Sequence, residues 1–114
     1  RTVTHMSKRI LFTQEQIDSA LAELNSDASA PWEMPWEIKE NKLLRRYDFK
    51  SFGDAMSFMA QIALACEKLD HHPRWVNVWN VVEISLFTFK VKGLTELDFE
   101  LSGRMERLAK RFLV

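Results

Sequence analysis

The chain has 114 residues, of which 46% are hydrophobic and 28% charged, and its 16 basic and 16 acidic residues cancel. This composition is typical of a globular protein with one core, and it excludes a disordered chain. The balanced charge argues against a nucleic-acid-binding protein, because phosphate contacts need an excess of Lys and Arg on one face. No apolar run approaches the ~20 residues that a membrane-spanning helix needs, and no signal peptide is visible.

The chain is expected to form a single domain over residues 6–114. Residues 1–5 are interpreted as a cloning remnant ahead of a native start at Met6. Cys66 is the only cysteine, so no disulfide can form within the chain. A lone cysteine is typical of a reducing compartment, and we expect a cytoplasmic protein, with the nucleus as the alternative.

The first predicted element is an amphipathic helix over residues 14–24. Thr13 and Gln16 have the spacing of a capping box, and apolar residues then recur at helical intervals. A loop rich in Ser, Ala and Pro follows and contains Trp32. We expect this tryptophan to pack over the sheet edge, and an exposed contact for a partner is the alternative.

A β-hairpin and a long helix come next. Residues 36–38 and 43–49 predict two strands joined by a turn at 40–42. Ser51 and Asp54 form a second capping box, which begins a helix that runs to about Leu69. The stripe expected to be buried along this helix consists of Phe52, Ala55, Met56, Met59, Ile62, Ala63 and Cys66.

The second half of the chain predicts two more strands and a last helix. The strands cover residues 75–80 and 81–90, with Asn80 in the turn between them. Thr95 and Asp98 form a third capping box ahead of the last helix. Alternation along the second of these strands groups Val82, Ile84, Leu86 and Thr88 on one face and Glu83, Ser85, Phe87 and Phe89 on the other. The apolar stripe of the last helix consists of Leu97, Leu101, Met105, Leu108 and Phe112.

The order α-β-β-α-β-β-α predicts an α+β sandwich. Short connections favour antiparallel neighbours, and each apolar helix stripe has to be buried against a sheet face. We therefore expect a four-stranded, mainly antiparallel sheet with the helices packed on one of its faces.

The junction between the long helix and the third strand carries the candidate chemistry. His71 and His72 stand back to back there, with Glu67 before them and Pro73 after them. Proline disfavours a helical conformation for the residue before it, so the two imidazoles are expected to have a defined, non-helical backbone. A purely structural interpretation is that these histidines close a helix and interact with its dipole, with Glu67 solvated.

A metal site at this junction is rejected. Cys66, Asp70, His71 and His72 could supply ligands, but adjacent histidines diverge and Cys66 belongs to the apolar stripe. No set of four ligands with the spacing of a structural zinc site is present, and we predict no metal.

These residues resemble the signature of the pterin-4a-carbinolamine dehydratases, also called 4a-hydroxytetrahydrobiopterin dehydratases. The resemblance is carried by the block 67–73, by Trp79 and by Asp98, and it extends over about residues 36–108. It includes the segment 47–52 that leads into the long helix and the segment 93–95 before the last helix. The element order is also that of the family.

The resemblance implies a dehydratase that removes water from carbon 4a of a hydroxylated tetrahydropterin, in tetrahydrobiopterin recycling, with no cofactor. His71 and His72 match the paired catalytic histidines. His72 is favoured as the principal acid/base with His71 as its partner, and the sequence leaves open which of them is the acid and which the base. Glu67 matches an acidic residue that orients or stabilises an imidazole, and Asp98 matches an aspartate that positions a histidine. A capping role alone also explains Asp98.

The substrate-binding residues implied by the resemblance are His71, His72, Pro73, Trp75 and Phe89. Phe89 departs from the family pattern, which has a third histidine at this position. Phenylalanine cannot transfer a proton, but it can stack on the flat pterin ring. Because the third histidine is associated with one of the two stereoisomers at carbon 4a, we expect a lower or more stereoselective activity.

The expected partners are a small-molecule pterin substrate and further copies of the chain. The resemblance implies a homodimer or homotetramer, and pairing would protect exposed strand edges. No nucleic acid or membrane partner is expected. The alternative function is a non-catalytic module that binds pterin or promotes protein dimerisation, as in family members that act as transcriptional cofactors.

Overall fold

The computed structural model describes residues 8–26 and 35–113. Residues 1–5, including His5, and the loop residue Trp32 lie outside these ranges, as do the interpretations given for them above. The described elements are α1 (Gln14–Ser26), β1 (Glu37–Lys39), β2 (Lys42–Asp48), α2 (Phe52–Leu69), β3 (Arg74–Val78), β4 (Val81–Leu86) and α3 (Glu96–Leu113). The predicted order of elements and the α+β class are confirmed.

The four strands form one antiparallel sheet in the order β1-β2-β4-β3. Glu40 and Asn41 connect β1 to β2 with φ values of 52° and 65°, which is the left-handed geometry of a tight hairpin turn. Asn80 lies in the predicted turn between β3 and β4, after Trp79 with a φ of 53°. These two hairpins pair through β2 and β4, which form the centre of the sheet.

The helices cover one face of the sheet and enclose the core. α2 and α3 pack on each other, α1 packs on α3, and contacts join α2 to β4 and α3 to β2. The predicted inward face of β4 is buried, and so are Leu97, Leu101 and Met105 of α3. A buried polar group sits inside this core, where Glu106 accepts hydrogen bonds from Trp36, Arg45 and Tyr47.

The predicted buried stripe of α2 is partly wrong. The side chains that it buries are Ala55, Phe58, Ile62, Cys66 and Leu69. Phe52 is 49% exposed, and Met56 and Ala63 are also exposed. The prediction merged two neighbouring apolar rows of one helix, and only the row through Phe58 faces the sheet, because each residue turns the helix by about 100°.

The last strand is shorter than predicted. β4 ends at Leu86, whereas alternation had extended it to residue 90. Beyond it, Thr88 makes an isolated bridge to Gly93, and Lys92 has a φ of 55°. A tight turn therefore begins at Thr88 and leads the chain back towards α3. No helix in the described part of the chain is long and apolar enough to cross a membrane.

Candidate active site

The C-terminal end of α2 sets the directions of the two histidines. Asp70 follows the helix in a left-handed conformation, with φ 54° and ψ 46°. Its N–H donates to the carbonyl of Glu67, and the N–H of His71 donates to the carbonyl of Cys66 at 3.0 Å. This pair of bonds is a Schellman motif, which closes the helix and turns the chain sharply away from its axis.

His71 leaves this turn towards the interior. Its Nε2 atom lies 2.7 Å from Oδ1 of Asp98, and the two residues are 7% and 0% exposed. Asp98 is the third residue of α3, so the pair joins the end of one helix to the beginning of another. An ionised carboxylate can only accept, so the proton in this bond belongs to His71 and its Nδ1 atom is left for other partners when the ring is neutral.

The carboxylate of Asp98 accepts two further hydrogen bonds. Its Oδ2 atom accepts from the Thr95 N–H at 2.9 Å and from the Thr88 hydroxyl at 2.7 Å. Since the Thr88 hydroxyl donates to Asp98, the Thr95 hydroxyl donates to Thr88, at 2.9 Å. Leu97 N–H completes the chain by donating to Thr95. The predicted capping role of Asp98 and its contact with a histidine are therefore both present, through different oxygen atoms.

His72 points the other way, towards solvent. Its Nε2 atom lies 2.7 Å from Oε2 of Glu67, and the two side chains are 55% and 78% exposed. Glu67 lies in the last turn of α2, which brings its carboxylate back beside the turn that carries His72. Two imidazole–carboxylate pairs thus flank one helix end, one buried and one accessible.

The other predicted site residues are more scattered. Pro73 follows His72 directly, and Trp75 is half-buried on the core side of β3. Phe89 is 74% exposed, and among the described residues its ring contact is with Phe87, edge-on at 4.9 Å. Thr88, the residue before Phe89, bonds to Asp98, which in turn bonds to His71.

Comparisons with known proteins identify the family of the chain. The family model described as pterin 4 alpha carbinolamine dehydratase matches residues 11–108. The chain belongs to this family. The match includes both histidine–carboxylate pairs and nearly all of the described fold.

Curated relatives share much of the sequence. A protein of Chelativorans sp. (strain BNC1) named "Putative pterin-4-alpha-carbinolamine dehydratase" is 41% identical over 100 residues, covering 86% of this chain and 93% of its own. A protein of the same name from Sinorhizobium medicae (strain WSM419) is 46% identical over 77 residues, covering 66% of this chain and 73% of its own.

Two solved structures have a similar fold. The transcriptional coactivator/pterin dehydratase from Brucella melitensis has a TM-score of 0.77 at 35% identity, over 88% of this chain and 99% of that one. A pterin dehydratase-like protein identified as a RuBisCO assembly factor in the alpha-carboxysome has a TM-score of 0.55 at 23% identity, over 65% of this chain and 88% of that one. The second likeness concerns the fold alone.

Part of this candidate site was not predicted from the sequence. Thr88 was expected only to face the core, and Thr95 only to cap α3, whereas their hydroxyls together support Asp98. The spacing of Thr95 and Asp98 indicated the hydrogen bond between these two residues. Nothing in the local pattern around Thr88 indicated its hydrogen bond to Asp98, because this contact depends on the turn that follows β4.

The described residues offer no group of three or more His, Cys, Asp or Glu side chains that could hold a metal ion. Cys66 lies in the core, where burial raises the pKa of its thiol to about 11. His71 and His72 diverge to different carboxylates. The ligands considered for zinc are therefore spread over the core, the buried pair and the surface.

A cavity of about 760 Å³ lies elsewhere, between α1 and α3. Its lining includes the carboxylates of Glu23, Glu96 and Glu100, together with Phe99, and none of the predicted site residues. Acid/base catalysis near neutral pH favours histidine over carboxylates, because both protonation states of an imidazole are populated there, and the paired histidines lie at the end of α2. We therefore assign the candidate active site to the histidine junction.

Proposed function

We propose that the chain is a hydro-lyase that removes water from carbon 4a of a 4a-hydroxytetrahydropterin, as a step of tetrahydrobiopterin recycling. Membership of the family supports this reaction class. The observation that carries the proposal is the presence of two imidazole–carboxylate pairs at one helix end, each with an N···O distance of 2.7 Å. Each carboxylate orients its imidazole and stabilises the cation that forms when the ring takes up a proton.

The reaction needs one acid and one base. The acid protonates the hydroxyl on carbon 4a, and the C–O bond breaks to release water. The base removes the proton from N5, and the N–H electron pair forms the double bond between N5 and carbon 4a. The product is a quinonoid dihydropterin, and no net oxidation occurs. Histidine can fill either role because both of its protonation states are populated near neutral pH.

We assign the principal acid/base role to His72 and the partner role to His71. The exposed side chain of His72 can reach a bound pterin and exchange protons with solvent, whereas His71 is buried against Asp98. Glu67 and Asp98 are the orienting carboxylates. His71, Pro73, Trp75 and Phe89 are proposed to line the substrate together with His72, with an aromatic ring available to stack on the pterin.

The test is the dehydration of freshly generated 4a-hydroxytetrahydropterin by the wild-type chain and by His72→Ala. Removal of a positioned acid or base is expected to lower kcat by about 10²-fold or more. Lys39→Ala, an exposed change in the edge strand β1, is the control and is expected to keep full activity. A wild-type rate equal to the uncatalysed rate, or a His72→Ala rate equal to that of wild type, would contradict the proposal.

The second candidate function is a non-catalytic module that binds pterin or promotes dimerisation. Phe89 favours it, because this position of the family pattern normally supplies a third acid/base group. Exposed apolar side chains such as Val78, Trp79 and Phe89 would suit a protein partner. Recovery of activity in Phe89→His, starting from an inactive wild type, would favour this candidate over the enzyme.

We also propose a homodimer or homotetramer in a reducing compartment such as the cytoplasm. β3 is an edge strand of the sheet, and pairing with another chain would protect it. The single cysteine is buried and needs no oxidising environment. Light scattering at assay concentration tests the assembly, and a mass matching only the 13.4 kDa chain would refute it.

A further inference from the structure

The backbone of Asp70 controls where both histidines point. Asp70 has left-handed dihedral angles, which residues with a Cβ atom adopt reluctantly, although Asp tolerates them better than most. The peptide unit after it leads directly into His71. A change of conformation at Asp70 would swing His71 and His72 away from Asp98 and Glu67. Such a turn needs support from its surroundings to remain fixed.

Arg9 gives this support from the other end of the sequence. Its Nη2 atom donates to the Asp70 carbonyl at 2.6 Å and lies 3.6 Å from Oδ2 of the Asp70 carboxylate. The carbonyl belongs to the peptide unit that joins Asp70 to His71. One guanidinium therefore holds both the backbone and the side chain of the left-handed residue.

The segment that carries Arg9 is itself fixed to α3. Lys8 forms an ion pair with Glu100 at 2.6 Å. Phe12 stacks on Phe99 with ring centroids 5.8 Å apart, and its N–H donates to the Leu94 carbonyl at 2.9 Å. α3 also carries Asp98. The same segment thus links the helix that supplies the carboxylate to the turn that supplies the histidines.

We propose that Arg9 is a positioning residue of the candidate active site. By holding the carbonyl and carboxylate of Asp70, it keeps His71 aimed at Asp98 and His72 aimed at Glu67. The catalytic consequence rests on the proposed dehydratase function, whereas the geometric consequence does not. Loss of Arg9 leaves both histidines chemically intact but less fixed, which lowers the rate of the chemical step more than it weakens substrate binding.

The test compares Arg9→Gln with Lys8→Gln in the full chain. Lys8 anchors the same segment through Glu100 and has no bond to Asp70 among the described contacts, so it controls for a general loosening of the segment. The measurements are kcat and KM for the pterin, the imidazole nitrogen NMR signals of both histidines, and amide hydrogen exchange at Asp70 and His71.

Arg9→Gln is expected to lower kcat about tenfold while KM changes less than about twofold. Misplaced catalytic groups slow the chemical step more than they weaken substrate binding. The imidazole signals of His71 and His72 shift, and exchange of the His71 amide accelerates about tenfold as the turn opens locally. Lys8→Gln changes these readouts much less than Arg9→Gln does, because the contacts of Phe12 still hold the segment to α3. Arg9→Lys gives an intermediate result, because an ammonium group is a point donor without the guanidinium fork.

Asp70→Asn separates the two contacts of Arg9. Asparagine tolerates the left-handed region and keeps the backbone carbonyl, so a mild effect assigns the support to the 2.6 Å carbonyl bond. If Arg9→Gln keeps wild-type histidine signals and exchange, or if Lys8→Gln disturbs them equally, the inference is overturned. These readouts need no turnover. An inactive wild type would refute the proposed function, while the shift in Arg9→Gln alone would still support the positioning role.

Discussion

His71 and Asp98 bond across the core at 2.7 Å although each stands at the terminus of a different helix. His71 is fixed by the turn that closes α2, and Asp98 by the cap that opens α3. Moving the Asp98 carboxylate would break the cap of α3, and moving the His71 backbone would open the turn that closes α2. This arrangement makes the orientation of the buried imidazole a property of the fold, and it explains why the supporting residues of the site lie in caps and turns.

The hydroxyl of Thr88 is predicted to stabilise the pair of His71 and Asp98. Thr88→Val keeps the shape but removes the donor to Asp98 and the acceptor for Thr95. We expect the free energy of unfolding to fall by about 1–3 kcal/mol, because buried polar atoms lose their partners. We expect kcat to fall by about tenfold, a usual loss when a residue that orients a functional group is removed. Denaturant unfolding and steady-state kinetics measure the two effects. Thr88→Ser retains the hydroxyl, and equal rates for the Val and Ser variants would contradict the prediction.

Glu67 is predicted to affect activity without affecting stability. Its contact with His72 is on the surface, so Glu67→Gln should change the free energy of unfolding by less than about 0.5 kcal/mol. The rate should fall clearly, because the carboxylate no longer stabilises protonated His72. Chemical denaturation and kcat are compared with those of Glu23→Gln, an exposed change in α1. Parallel losses of stability and rate in Glu67→Gln would mean that the pair is structural.

The sequence predicted the elements well because their ends carry local signals. The capping box at Thr13 has both of its hydrogen bonds, and those at Ser51 and Thr95 each have one of the two among the described contacts. Local spacing also indicated that Asp98 could cap a helix. What spacing could not indicate is which of its oxygen atoms remains available, and that atom is the one that bonds to His71.

Long-range contacts account for what was missed. Arg9 and Asp70 are 61 positions apart, and no local pattern links them. The exposed part of the α2 stripe was predicted to be buried because Phe52 and Met56 are as apolar as the residues that do face the sheet. Periodicity identifies an apolar helix but does not decide between two adjacent apolar rows, since that choice depends on how the helix is rotated against the sheet.

The position of Phe89 predicts a stereoselective enzyme. Phe89 is largely exposed, so Phe89→His should leave the fold intact. The new imidazole is expected to raise the rate for the slower stereoisomer by about tenfold or more, within the range that a positioned acid/base group supplies. Rates on the two resolved isomers at carbon 4a measure the effect. Phe87→His, at the neighbouring ring, is the control. Equal turnover of both isomers by the wild type, unchanged in Phe89→His, would refute the prediction.

Tyr47 is predicted to resist ionisation until the fold is lost. Burial, followed by the negative charge of Glu106, raises the pKa of this phenol well above its usual value of about 10. Because the folded state holds the proton more tightly than the unfolded state, this group's stabilising contribution is complete below about pH 10 and is lost as the pH rises towards the folded pKa.

Tyr47 is the only tyrosine, so tyrosinate absorbance reports on it alone. We expect the absorbance to rise together with the loss of circular dichroism in the native chain, and near pH 10 in denaturant. Tyr47→Phe supplies the blank, and titration near pH 10 with the fold still intact would contradict the prediction.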